Sequence, residues 1–463
     1  MTKINIDKIN IIDENEIQKL ITTQVCKSEI KEILQKGEEM KGLSLNDCAK
    51  LLSIQDIEFL ERLFASAKKV KMTIYGPRLV LFAPLYVSNF CVNDCEYCAF
   101  HARNTAPRKK LTLEEVKEQV EILEVMGHKR LLLEFGEHEI ENPIDYVVDV
   151  IKTIYATKKG QGEIRRVNVN IAATTVENYR RLKEAGIGTY QIFQETYHEP
   201  TYKKMHNGPK ADYQRQITAI FQAFEAGIDD LGIGVLFGLY DYRFEVLALI
   251  QYAQFMDKVL GVGPHTISVP RFQPAHTVNL DLKYQVSDQD FLKLIAVLRL
   301  AVPYTGMIIS TRETPEIRRQ AFAIGISQAS ATSKTEPGGY SSREKQMVEG
   351  QFNLNDHRSL DEVVQDICSL GYLPSFCTGC YRTGRTGDYF MQLAKSGKIH
   401  ELCQPNALLT FKEYLLDYAS AKTKKIGGQT IMNQFSLIKA GPIRKKLAEY
   451  LEKVEQGKRD LFF

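Results

Sequence analysis

No stretch of this 463-residue chain approaches the roughly 20 consecutive apolar residues that a membrane-spanning helix needs, so no membrane role is expected. Charge of one sign is also scarce. Lysine and arginine number 60 against 57 aspartates and glutamates, a net of +3, too little for the basic footprint of a nucleic-acid binder. The short cluster Arg108-Lys109-Lys110 reads as a solvated turn. Glycine signatures that cradle dinucleotides or nucleoside phosphates are missing, which counts against a doubly wound sheet. Residues 1–10 carry Lys3 and Lys8, but no apolar core or cleavage site follows them, so a targeting segment is not expected and a cytoplasmic location is. Nine cysteines are an odd number for a disulfide framework, and a large chain without a secretory leader usually works where thiols stay reduced.

The residues that are present, 44% apolar and 25% charged, are ordinary for a globular protein. The length suits a barrel of roughly 250 residues with extensions at both ends. Residues 1–70 place apolar side chains at helical spacing, for instance Ile17, Leu20 and Ile21, then Ile30, Ile33 and Leu34, then Leu51, Leu52, Ile57, Leu60 and Leu63. Cys26 and Cys48 fall inside these patterns and read as small buried hydrophobes. From residue 78 onward, eight β-rich runs (79–87, 130–135, 167–172, 189–194, 231–236, 266–272, 307–311 and 326–331) alternate with amphipathic stretches such as 112–126, 175–185, 212–226 and 288–300. That alternation predicts parallel strands with crossover helices. The expected fold is α/β: an N-terminal helical extension over 1–77, a complete (βα)8 TIM-type barrel over 78–373, and a mostly helical C-terminal cluster-binding domain over 374–463.

Two cysteine constellations carry the chemistry. Cys91, Cys95 and Cys98 form a C-x3-C-x2-C pattern immediately after the first run, where a TIM-type barrel puts its active-site loops. Three thiolates at loop spacing can hold an iron-sulfur cluster and leave one iron open. Zinc is the alternative, but it favours four closed ligands, and the nearest fourth candidate, His101, lies only three residues beyond Cys98. The second constellation is Cys377-x2-Cys380 followed by Cys403 after 22 residues. Here a structural zinc completed by His400 or His357 is an open reading. Cys368 sits in a helical apolar pattern with Val363, Val364, Ile367 and Leu370 and reads as core.

With its aromatic flanks Phe90, Tyr97 and Phe100, the first motif resembles the signature loop of radical S-adenosylmethionine (SAM) enzymes. The resemblance implies a 4Fe-4S cluster whose open iron is chelated by SAM, with Tyr97 and Phe100 beside the cofactor. Leu133-Glu134-Phe135-Gly136-Glu137-His138 resembles the superfamily's Gly-Gly-Glu segment with Glu134 in place of the first glycine, so Gly136 and Glu137 are candidates to receive the SAM amino group. Glu195, ending the fourth run, is the candidate for the SAM ribose, and Arg215 for its carboxylate, since a guanidinium fork suits that geometry. Ser310, Thr311 and Arg312, ending the seventh run, are candidates for the carboxylate of an amino-acid substrate. His265 precedes the sixth run, at the opposite end of the barrel, where residues usually serve structure. The helical spacing after residue 407 (Leu408, Leu409, Phe411, Leu415 and Leu416, later Ile443, Leu447 and Leu451) reads as packing on the barrel, and Gly427-Gly428 as a bend.

Taken together, the C-x3-C-x2-C loop, the barrel and the C-x2-C-x22-C tail resemble the HydG family, the radical SAM tyrosine lyases that mature FeFe-hydrogenase. That resemblance implies cleavage of the L-tyrosine Cα–Cβ bond to p-cresol and dehydroglycine. It further implies conversion of dehydroglycine to carbon monoxide and cyanide at an auxiliary cluster, and assembly of an Fe(CO)2(CN) unit on an extra iron that carries cysteine. Cys377, Cys380 and Cys403 would hold the auxiliary cluster and His265 the extra iron. Implied partners are a reductant such as ferredoxin or flavodoxin, the other hydrogenase maturases and the hydrogenase. His101, Glu137 and Gln194 are alternatives for handling the tyrosine phenol. Two rival functions stay open: a thiamine-pathway tyrosine lyase that makes no carbon monoxide, and a non-catalytic iron-sulfur carrier or scaffold.

Overall fold

The near-continuous apolar run at 79–87 becomes β1 (Arg78–Ser88), buried along almost its whole length as a parallel barrel strand must be. The computed structural model describes residues 10–275, 277, 278, 280, 283–342 and 350–463, so the stretch with Lys3 and Lys8 lies outside it. Seven more strands follow: β2 (Arg130–Phe135), β3 (Arg166–Asn170), β4 (Tyr190–Glu195), β5 (Leu231–Val235), β6 (Thr266–Ser268), β7 (Gly306–Ile309) and β8 (Gln328–Ser330). Each pairs in parallel with its neighbour, and β1 pairs with both β8 and β2, which closes the eight-stranded ring. A ninth strand, β9 (Leu373–Ser375), continues the β8 edge of β1 through Arg78–Val80. It went unread in the sequence because three residues carry no periodicity, and the expected boundary at 373/374 falls inside it.

Four helices precede the barrel: α1 (Glu14–Leu20), α2 (Lys27–Glu38), α3 (Leu45–Leu52) and α4 (Ile57–Ile74). Asp13, Ser44 and Asp56 cap α1, α3 and α4 by accepting from first-turn N–H groups. Cys48 is buried as expected, but Cys26 is exposed and sits at the N-cap of α2, its Sγ 3.1 Å from Glu29 Oε2. The barrel helices are α5 (Leu113–Met126), α6 (Ile144–Ala156), α7 (Val176–Glu184), α8 (Glu199–Met205), α9 (Tyr213–Glu225), α10 (Tyr242–Leu260), α11 (Asp288–Ala301), α12 (Pro315–Ile324) and α13 (Leu360–Ser369). Then come α14 (Gly379–Arg382), α15 (Gly387–Lys395), α16 (Ile399–Asp417), α17 (Ala421–Ser436) and α18 (Pro442–Glu455). No helix among the described residues is long and apolar enough to cross a membrane.

Strand alternation sorts the barrel interior into levels. On β1, Val80 faces a lower chamber while Phe82, Pro84 and Tyr86 face an upper cavity; on β2 the corresponding residues are Arg130, then Leu132 and Glu134. Between the two spaces, Phe82, Leu132 and Ile308 form a small apolar layer of their own. Proline is tolerated at position 84 because β8 pairs with β1 only as far as Phe82, so no ladder partner needs the missing N–H. Its carbonyl instead accepts from the Tyr340 hydroxyl at 2.6 Å.

Gly427-Gly428 does not bend the chain. Both residues lie inside α17, and Gly427 is where that helix crosses α16: a Cβ there would stand 2.5 Å from Leu415 Cδ2 and 2.9 Å from the Phe411 ring, whereas Gly428 meets nothing within 4 Å. Gly427→Ala is therefore expected to lower the thermal unfolding midpoint, at a cost of about 2 kcal/mol from overpacking. Gly428→Ala should raise it slightly, by about 0.5–1 kcal/mol of helix propensity. Differential scanning fluorimetry of the two variants checks both signs.

Candidate active site and metal centres

The loop leaving β1 is held by the chain on both of its sides. Gly136, just past β2, donates its N–H to Ser88 O at 3.0 Å, and Val92 donates to Glu137 O at 2.8 Å. A Cβ on Gly136 would lie 2.3 Å from Phe90 O and 3.0 Å from Cys91 Cβ, so only glycine lets the end of β2 run this close to the first cysteine. From the other side Arg108 donates Nη1 to the carbonyls of Asn89 (2.8 Å) and Phe100 (2.9 Å), and Nη2 to those of His101 (2.6 Å) and Asn104 (3.2 Å). Arg108-Lys109-Lys110 is thus no solvated turn. Its arginine gathers the carbonyls of the cysteine loop, Lys109 pairs with Glu115 at 3.1 Å, and Lys110 lies over the Tyr146 ring at 4.5 Å.

Burial pushes the Cys98 thiol up to about 11 and Cys95 higher still. Thiols in this state are poor nucleophiles but good ligands once an iron cation offsets the desolvation of the thiolate. Side-chain amides already face the sulfurs, Gln351 Nε2 at 3.5 Å from Cys98 Sγ and Asn93 Nδ2 at 3.8 Å from Cys91 Sγ. The residues present fit a cluster held by three thiolates.

Above the apolar layer is a cavity of about 140 Å³ lined by Tyr97, Cys98, Glu134, Glu195, Ser310, Thr311 and Arg312, among others. The Arg312 guanidinium stacks on Phe352, 3.3 Å from the ring centre. Glu134, hydrogen-bonded to Asn170, is held up at about 8 by burial and is protonated at neutral pH. Glu195 ends β4 at a register shift with φ 67°, a left-handed conformation that costs a non-glycine residue about 1–3 kcal/mol and that clusters at functional sites. Its Oε1 accepts from Lys210 Nζ at 2.8 Å.

A second cleft, of about 570 Å³, is lined by Gly136, Glu137 and Arg215 among others. There the Glu137 carboxylate accepts from Arg215 Nη2 and from Asn93 Nδ2, both at 2.6 Å, which ties the end of β2 to the cysteine loop and to α9. Arg215 Nη1 has no hydrogen-bond partner. Phe100 lines neither space: it is buried edge-on against Tyr86, ring centres 5.9 Å apart. Of the phenol candidates, none lines the upper cavity. His101 Nδ1 is 3.0 Å from Asp94 Oδ1, Glu137 is engaged as described, and Gln194 points away because Gln191 and Phe193 take the inward positions of β4.

At the opposite end, β9 delivers Cys377, α14 carries Cys380 and α16 carries Cys403. All three line a chamber of about 60 Å³ together with His265, Arg78 and Arg130. The His265 ring packs on Phe390 at 4.2 Å, burial pushes its pKa down, and its Nδ1 has no hydrogen-bond partner, the nearest carboxylate oxygen being Asp230 Oδ1 at 3.7 Å. The Cys403 thiol is pulled down by the Cys380 thiol and by Arg78 and Arg385, while Cys377 and Cys380 are pushed up. Gly379 donates its N–H to Cys377 Sγ at 3.3 Å. Neither His400 nor His357 lines the chamber; His400 packs against Gly76 and His357 is exposed.

The profile of the Radical SAM superfamily matches residues 85–253, and that of the Biotin and Thiamin Synthesis associated domain matches 268–373. The 2-iminoacetate synthase of Salmonella typhimurium is 30% identical over 334 residues, covering 72% of this chain and 86% of that protein. The crystal structure of HydG, a maturase of the FeFe-hydrogenase, is 53% identical over 98% of this chain and 100% of that one, with a TM-score of 0.95. The chain belongs to the HydG family. The FeFe-hydrogenase maturase HydG from Carboxydothermus hydrogenoformans is also similar, 39% identical over 96% of this chain and 100% of that one, TM-score 0.81. As a HydG-family protein it is a radical SAM enzyme of the tyrosine-lyase class, which takes SAM and a 4Fe-4S cluster.

Several site residues of this HydG-family chain escaped the sequence reading. Glu134 and Arg130 carry a readable signal, charge on the inward face of a strand that is otherwise apolar. Phe135, not Glu134, directly precedes Gly136, which leaves Glu134 free to face the cavity. Gln351 and Phe352 had no signal at all, since they reach the site from a long connection after β8. Because groups that hold a ligand loop in place are typically worth 10- to 100-fold in metal affinity, Gly136→Ala and Arg108→Ala should each weaken retention of iron at Cys91, Cys95 and Cys98 about tenfold while the tail cysteines still load. Iron content and EPR of anaerobically reconstituted variants measure this.

Proposed function

We propose that this enzyme cleaves the Cα–Cβ bond of L-tyrosine to p-cresol and dehydroglycine, converts the dehydroglycine to carbon monoxide and cyanide, and delivers an Fe(CO)2(CN) unit bound to cysteine for the hydrogenase H-cluster. The observation that carries this reading is that one closed barrel presents two three-cysteine sets at its opposite ends, the second sharing its chamber with His265, whose Nδ1 has no hydrogen-bond partner. Cys91, Cys95 and Cys98 would hold the 4Fe-4S cluster, which, given an electron from a ferredoxin- or flavodoxin-type donor, supplies a 5'-deoxyadenosyl radical from SAM.

Every other part of the task falls to the chain's own side chains. Tyr97 and Glu195, which line the upper cavity, and Gly136, Glu137 and Arg215, which line the cleft at the end of β2, would hold SAM beside the cysteine loop. Arg312, with Ser310 and Thr311, faces the cavity as the carboxylate partner of an amino acid. Protonated Glu134 on the facing wall is a hydrogen-bond donor for the same substrate. Gln351 and Phe352 add to the lining of the cavity, and shielding from water would protect a primary radical there. Below, Cys377, Cys380 and Cys403 suit an auxiliary cluster and His265 the extra iron, which is cargo. Arg78, Arg130 and Arg385 balance the thiolate charge in that buried place.

A second reading stops at dehydroglycine, that is 2-iminoacetate, and is supported by the similarity to 2-iminoacetate synthase. The likeness to HydG, a maturase of the FeFe-hydrogenase, extends over 98% of this chain and favours the longer sequence. Anaerobic, iron-reconstituted protein given SAM, a reductant and tyrosine should form p-cresol together with carbon monoxide. Cys91→Ala should abolish both products, whereas Cys377→Ala should keep p-cresol and lose carbon monoxide. p-Cresol alone from protein with a demonstrably loaded tail would make the shorter reaction the answer, and neither product would point to a carrier.

A further inference from the structure

Residues 205–210, Met-His-Asn-Gly-Pro-Lys, connect α8 to α9 and belong to neither cysteine motif. They run directly alongside the cysteine loop. Asp94 donates its N–H to Asn207 O at 2.8 Å and Glu96 to Met205 O at 3.0 Å, so two backbone bonds bracket His206. Lys210 donates its N–H to Asn93 Oδ1 at 2.7 Å. Met205 packs in one apolar cluster with Cys95, Tyr97, Leu236 and Leu239. Gly208, at φ 92°, makes the close approach possible, because a Cβ there would stand 2.9 Å from Asn93 Oδ1.

Inside this splint the hydrogen bonds of His206 can be assigned. Its Nδ1 is 2.8 Å from the Tyr202 carbonyl, which can only accept, so Nδ1 carries the hydrogen. The ring is 4% exposed and burial pushes its pKa down to about 3, leaving it neutral. Nε2 therefore accepts, and its partner at 2.8 Å is the hydroxyl of Tyr97, with the two rings edge to face at 5.4 Å. Tyr97 stands between Cys95 and Cys98 and lines the upper cavity. Rotating its ring would move a wall of the cavity and the arc joining two of the cysteines.

We propose that His206 is a positioning residue for the upper site, anchoring the Tyr97 hydroxyl so that the Cys95–Cys98 arc and the wall of the cofactor space keep one geometry. The same segment reaches the end of β4 through Lys210 and Glu195, so it couples the cysteine loop to a second candidate cofactor contact. The proposal rests on the reading of the upper site as the SAM site.

The test compares the full, anaerobically reconstituted chain with His206→Phe, His206→Gln, Tyr97→Phe and the double variant His206→Phe/Tyr97→Phe. The readouts are iron content, KM for SAM in 5'-deoxyadenosine formation, KM for tyrosine, and the EPR change that SAM produces in the reduced protein. Loss of one buried hydrogen bond predicts that His206→Phe and Tyr97→Phe each raise KM for SAM about tenfold, with KM for tyrosine and iron content unchanged. The double variant should be no worse than either single one, since both act on the same bond. His206→Gln, whose amide oxygen can accept from the phenol, should recover most of the loss. Additive losses, or a normal KM for SAM in Tyr97→Phe, overturn the proposal. The latter comparison does not need His206→Phe to fold. If the unaltered protein forms no 5'-deoxyadenosine, the SAM reading fails, and that outcome is distinguished by being common to every variant.

Discussion

The pairing of β1 with β2 on one edge and with β8 and β9 on the other is the constraint on which the rest of the molecule depends. A parallel strand must find partners for its backbone on both edges and cover for both faces, and β1 obtains these by closing the ring. Once the ring is closed, the inward residues of each strand occupy a narrow column. Val80 and Tyr86, six residues apart on β1, are separated by about 20 Å of extended chain. One strand thereby contributes to both chambers. The tail cysteines reach the lower chamber because β9 adds to the free part of the same strand and α16 lies over it.

The two ends differ in their electrostatics. Around the upper site, opposite charges are paired at close range: Lys210 with Glu195 and Arg215 with Glu137. Each ion pair also ties one structural element to another, so charge balance and loop geometry are set together. Around the lower chamber, cations outnumber carboxylates. Arg78, Arg130 and Arg385 are all buried near the three cysteines, and the carboxylate nearest His265 stands beyond hydrogen-bond distance. A buried excess of positive charge is costly unless anionic groups offset it, and the three cysteines are the groups these cations face. The Cys380 thiol, with Arg78 and Arg385, pulls the Cys403 thiol down, while burial pushes Cys377 up.

Much of the candidate site was legible in the chain because cysteine ligands come at loop spacings that chemistry restricts. The barrel was legible for a similar reason, since buried parallel strands read as short apolar runs at regular intervals. The errors share a physical cause as well. Arg108 read as a solvated lysine-arginine turn because charge alone does not reveal that a guanidinium will find four carbonyls in a folded loop. Gly427-Gly428 read as a bend because the local pattern cannot distinguish a flexible glycine from one that lets two helices touch.

What the sequence determined by itself was local: the ligand types and their spacing, the strand and helix periods, and hence the barrel and the resemblance to the HydG family. Period and spacing need only the chain's own geometry. Only the tertiary structure decided which inward residues share a level, that Glu134 faces the space beside Arg312, that Gln351 reaches Cys98, and that His265 lines one chamber with Cys377, Cys380 and Cys403. These are contacts between residues tens to hundreds of positions apart. They depend on strand register and on where long connections return, and neither quantity leaves a trace in a local pattern.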